Sequence, residues 1–107
     1  MYGAIQVIQI TPGEQELVLL TKEFAERVDL EEQVHELQVA MRYMHDARPL
    51  GADSPRLIAV IVDEIDIELD SFEISEPVAY TLLEIDDPSL EELRERALAN
   101  QREESIY

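Results

Sequence analysis

Between Leu57 and Leu93 the chain carries twelve carboxylates and neither a lysine nor an arginine. A block of one sign this long limits what can form around it. Like charges at this density repel one another and cost stability, although salt screens part of that cost, so the block asks for a reason. The rest of the chain shares the bias, and 25 acids against 8 bases leave a formal net charge of −17 over 107 residues. Hydrophobic residues still make up 46%, which is ordinary for a globular protein and too many for a disordered acidic tail. The chain is therefore expected to fold, and its length is that of one domain, residues 1–107.

Several apolar segments can supply the core. Ala4–Ile10 is β-branched, is broken only by glutamines, and reads as a strand. Thr11-Pro12-Gly13-Glu14 then places Pro and Gly at the centre of a type II turn. After it, either a hairpin returns through Glu16–Leu20 or a helix begins near Glu14. From Asp29, a candidate cap followed by Glu31 and Glu32, a helix is expected. Its apolar stripe is Leu30, Val34, Leu37, Met41 and Met44, at alternating spacings of 4 and 3. That stripe is either the core face of one helix or, as the alternative, a surface for self-association, giving a homodimer or an assembly subunit. Arg48–Pro55 breaks the chain with two prolines and a glycine.

Arg56–Asp70 fits two templates. As a helix, Ser54 caps it and Ile58, Ile61, Val62, Ile65, Leu69 and Phe72 share a face. As a strand, Ile65, Ile67 and Leu69 alternate with Glu64, Asp66, Glu68 and Asp70. The β-branched content favours a strand from Leu57, resumed at Phe72–Ile74 and followed by another over Val78–Ile85. Asp87 and Pro88 signal a last helix carrying Leu90, Leu93 and Leu98, with Arg94, Arg96 and Arg102 towards its negative end. The expected fold class is α+β: a small single domain with an antiparallel sheet of about three strands packed with two or three helices.

On the strand reading, four carboxylates point to one face about 6.6–6.8 Å apart. Nucleic-acid charges recur at about 3.4 Å of axial rise per nucleotide, with the winding backbone separating them further. Such a row can present something like a phosphate row to a basic groove. The candidate partner-binding set is Asp63, Glu64, Asp66, Glu68, Asp70, Glu73, Glu76, Glu84, Asp86 and Asp87. The competing reading is a solvated strand face. That accounts for the alternation but not for the single sign, since mixed charges relieve cross-strand repulsion; an acidic edge also resists aggregation.

Catalytic and metal signals are weak. No cysteine is present and only three glycines occur, so thiol chemistry is excluded and no phosphate-cradling loop is found. Glu32 and His35 have the Glu-x-x-His spacing of carboxylate-bridged metal helices, but a second copy is missing. His45 beside Asp46 reads as a favourable charge at a helix end. Asp63–Asp70 is rich in oxygen ligands yet lacks a glycine-turned calcium loop. No enzyme activity and no cofactor are expected. A signal peptide and a membrane-spanning run are absent from the sequence, so the expected location is the cytosol.

These features point to a non-enzymatic acidic binding or inhibitor protein that occupies the basic surface of a nucleic-acid-binding partner. Direct nucleic-acid binding and membrane binding are not expected. In size, charge and lack of cysteine the chain resembles, as a class, the DNA-mimicking inhibitors that phages and mobile elements carry against restriction or CRISPR systems. The resemblance implies an anti-defence role and carries no site residues across. A salt-adapted protein of unrelated function is a further alternative. Arg supplies seven of eight bases, as that reading allows, but Glu outnumbers Asp by 17 to 8.

Overall fold

A computed structural model describes residues 2–43, 55–84 and 86–106. In chain order the elements are β1 (Gly3–Ile10), β2 (Leu17–Phe24), α1 (Arg27–Tyr43), β3 (Arg56–Asp63), β4 (Glu68–Ile74), α2 (Glu76–Ala79), a 3₁₀ turn (Tyr80–Leu82) and α3 (Leu90–Ile106). The strands form one antiparallel sheet in the spatial order β2-β1-β3-β4. The expected α+β architecture is the one that forms, with four strands and three helices among the described residues.

The two most apolar segments pair at the centre. β1 and β3 run antiparallel from Gly3 opposite Asp63 to Ile10 opposite Arg56. Because successive side chains alternate between faces, Ile5, Val7, Ala59 and Ile61 lie on one side, and Leu30 and Leu37 of α1, Val78 and Ala79 of α2 and Leu90 and Leu93 of α3 are buried in the same core. Ala4, Val60 and Val62 form a smaller cluster on the opposite face. The turn after β1 is closed by the Glu14 amide donating to the Thr11 carbonyl at 3.0 Å, with Gly13 at φ +80°. That backbone angle suits glycine. The hairpin, not a helix, therefore follows Pro12, and β2 continues past Leu20 to Phe24.

α1 starts at Arg27, two residues before the expected cap, and Asp29 lies in its first turn. Leu30 and Leu37 are buried, and Val34 and Met41 pack against the same core; Met44 lies outside the described residues. The stripe thus packs on the chain's own core, with Leu30 and Leu37 buried and Val34 and Met41 half-buried.

Two sequence expectations fail after β4. Val78 to Leu82 is helical, not extended. The Ser75 hydroxyl accepts from the Val78 amide at 3.4 Å, and Pro77 stands in the first turn, where its missing N–H costs nothing. Val78, Ala79 and Leu82 then reach the core together; Ile85 lies outside the described residues. α3 is capped by Ser89, whose hydroxyl accepts from the Glu92 amide at 3.3 Å, not by Asp87. Within α3, Leu90, Leu93 and Ala97 face the core while Leu98 is exposed. Arg94 sits in the second turn, where it donates to the side-chain oxygen of buried Gln9 and reaches Glu76 at 3.4 Å. It ties β1, α2 and α3 together.

Gly3 is where α1 meets the sheet. A Cβ there would stand 2.7 Å from the Val62 carbonyl oxygen and 3.0 Å from Leu30 Cδ2. The first neighbour is backbone and cannot step aside. Gly3→Ala is expected to lower unfolding free energy by roughly 1–3 kcal/mol, as overpacking does, measured by urea denaturation.

Candidate functional site

The acidic segment does not form one continuous strand. It turns back on itself at Glu64–Ile65, and Asp63 is the residue that makes it turn. Asp63 Oδ1 accepts from the amides of Ile65 and Ile67, both at 2.9 Å. The Asp66 amide donates to the Asp63 carbonyl at 3.2 Å, and the Asp63 amide donates to Ile67 at 3.0 Å. This is a short hairpin with a bulge, in which the residue after the turn takes the left-handed conformation. Here that residue is Asp66, at φ +62°. Aspartate tolerates this region better than most side chains because its short polar group bonds locally. Asp63 and Asp66 thus have turn-forming roles that the alternation pattern concealed.

A second irregularity separates the remaining members of the expected row. Ile61 is opposite Asp70 and Val62 is opposite Glu68, which leaves Leu69 as an extra residue in β4. Cross-strand partners share a face. Asp70 therefore opens to the helix-bearing side with Ile61, and Glu68 to the opposite side with Val62. The regular one-face row of Glu64, Asp66, Glu68 and Asp70 is replaced by a cluster: two carboxylates on the hairpin tip and one on each face of the strand behind it. Glu73 is opposite Ile58, on the same side as Glu68.

The other predicted carboxylates lie away from this tip. Glu76 is in the first turn of α2 and pairs with Arg94. Glu84 and Asp87 close a small turn of their own: the Glu84 amide donates to Asp87 Oδ2 at 2.8 Å, and the Asp87 amide donates to the Glu84 carbonyl at 3.0 Å. Asp86 is exposed beside them. β4, about 20–25 Å long at the usual strand rise, leads from the hairpin tip to α2, so the expected set of ten divides into a tip group and a helix-layer group. Among the described residues, Glu64, Asp66, Glu68, Asp70 and Glu73 have no ion-pair partner.

The sequence reading missed the apolar part of the tip. Ile65, Ile67 and Leu69 were expected inside; they are 68%, 54% and 56% exposed. Alternation with acids suggested a buried face, whereas the turn and the bulge push all three outward. The signal for this lay in Asp63, since an aspartate that bonds amides two residues on is a turn former.

Other candidates do not gather into a reaction centre. Glu32 and His35 are both exposed on α1, and His45 and Asp46 lie outside the described residues. Among the described residues no group of three or more His, Cys, Asp or Glu side chains is placed to hold a metal ion, and no helix is long and apolar enough to cross a membrane. Comparison with protein-family models, with curated proteins and with solved structures returned no match.

The turn can be tested apart from any partner. Asp66→Gly relieves the left-handed backbone of its side chain and is expected to raise stability by about 0.5–1 kcal/mol. Asp63→Ala removes the acceptor of two amides and is expected to lower it by about 1–3 kcal/mol. Urea midpoints of the two variants against the parent give both signs in one experiment.

Proposed function

We propose that this chain is a non-enzymatic binding protein whose β3–β4 hairpin docks on a basic surface of another protein. The observation that supports this most is the exposure of Ile65, Ile67 and Leu69 among carboxylates that have no ion-pair partner among the described residues. A coat of charge kept for solubility needs no aliphatic side chains at its tip, and exposed apolar groups rimmed by polar ones mark interaction sites. Protein interfaces combine an apolar centre with a charged rim, which is the composition of this hairpin.

The charge selects the partner. A net charge of −17 repels nucleic acid and attracts surfaces rich in arginine and lysine. Proteins that hold nucleic acid are the common source of such surfaces. In its finer form the proposal is therefore an inhibitor that occupies a nucleic-acid-binding site, with the hairpin carboxylates standing where phosphates would. The cluster at the tip supports this through local charge density, not through a regular spacing.

The test pairs the parent with a variant carrying Glu64→Gln, Asp66→Asn, Glu68→Gln and Asp70→Asn. These changes remove charge while keeping size, and asparagine is well suited to the backbone at position 66. Each protein is tagged and used to capture partners from a lysate of its source, with elution by salt or by added DNA. The expected result is a nucleic-acid-binding protein retained by the parent, released by either eluent, and held at least about tenfold more weakly by the variant, a loss of about 1.4 kcal/mol. Equal retention by the variant would contradict the proposal.

A further inference from the structure

The outer edge of β4 lies beside a groove between β4 and α1. β4 is the last strand of the sheet, and among the described residues nothing pairs with its outer edge. α1 crosses the same side of the sheet, and between α1 and β4 lies a groove of about 240 Å³. Leu30 and Val34 of α1 and Ile61 and Leu69 of the sheet supply its apolar surface, while Glu31 and Asp70 stand on opposite walls. The volume falls short of the roughly 300–1,000 Å³ typical of pockets for drug-sized ligands. It suits one or two side chains of a chain laid alongside.

An open strand edge next to an apolar groove is the arrangement by which sheets capture peptides as added strands: the edge supplies main-chain hydrogen bonds and the groove reads alternate side chains. The bulge at Leu69 contributes by turning an aliphatic side chain out of the regular pleat beside the groove. Charge decides between possible occupants. A second copy of this chain would bring its own −17 to an edge already carrying Glu68, Asp70 and Glu73, and like charges placed opposite one another are destabilising. A cationic segment meets Glu31 and Asp70 instead. Glu31 is engaged with Arg27 at 2.7 Å, but that pair is exposed on the helix surface, and such pairs contribute little and exchange readily.

We infer that the β4 edge and the α1–β4 groove take an extended basic segment of the partner, with an aliphatic residue seated on Leu30, Val34, Ile61 and Leu69 and flanking arginines or lysines reaching Glu31 and Asp70. This inference rests on the proposed function and gives the partner a recognisable chemistry: alternating aliphatic and basic residues in an extended stretch.

Two short synthetic peptides test it, one alternating arginine with leucine and one alternating arginine with serine, titrated into the full chain by fluorescence anisotropy. Amide hydrogen exchange is followed in parallel. The leucine peptide is expected to bind about tenfold more tightly, in line with burial of one aliphatic side chain, and to slow exchange across β4. Leu69→Glu is expected to abolish that preference and Leu69→Ser to weaken it, with unfolding midpoints unchanged because the side chain is mostly exposed. Equal affinity for the two peptides, or a leucine preference that Leu69→Glu leaves unchanged, overturns the groove while leaving charge-driven docking intact. Binding of neither peptide also overturns it, and the capture experiment with the charge-neutralised variant then judges the docking proposal separately.

Discussion

The acidic block between Leu57 and Leu93 takes its place from the pairing of β1 with β3. These are the two segments apolar enough to be covered on both faces, and their eight-residue register fixes the centre of the sheet. Once they occupy the middle, β2 and β4 become edges, and the helices gather on the face of Ile5, Val7, Ala59 and Ile61. The carboxylates of the block from Leu57 to Leu93 are left with turns, an edge strand and the first turns of helices. These are the positions where charge is solvated and where the positive end of a helix favours it.

The same arrangement explains how the chain tolerates its charge. Carboxylates close local turns by accepting from backbone amides, as Asp63 and Asp87 do, so part of the negative charge is used in building loops. Arg94 anchors the helix layer through Gln9 and Glu76. At the hairpin tip Glu64 and Asp66 have no ion pair among the described residues, and there the apolar side chains are also outside. Unbalanced charge and uncovered aliphatic surface coincide there, and that coincidence, more than net charge, is the ground on which we propose docking.

Much of the architecture was legible in the residues. The apolar runs marked β1 and β3, the Pro-Gly pair marked the turn after β1 but left open a hairpin or a helix beyond it, and the spacing of Leu30, Val34, Leu37 and Met41 marked the buried face of α1. What was not legible turned on single side chains bonding to nearby backbone. Asp63 reverses the chain inside what looked like an unbroken alternating strand. Ser75 makes a helix start where β-branched and aliphatic residues suggested extension, and Ser89 caps α3 although Asp87 and Pro88 offered an earlier signal. The spacing of Ser89 and Glu92 matches a known helix-start pattern. The one-face row expected of the acidic segment does not form, because a period of two cannot reveal a turn or a bulge that reverses the faces within it.

The central claim is that the β3–β4 tip is the surface that meets a partner. The most direct measurement places a photoreactive benzoylphenylalanine at Ile65 and, in a second protein, at Leu98, which is exposed on α3. Each protein is irradiated in the lysate of its source. The account predicts a discrete cross-linked protein from position 65 that is absent from position 98 and suppressed by high salt. Cross-linking from position 98 alone, or the same products from both positions, would contradict it.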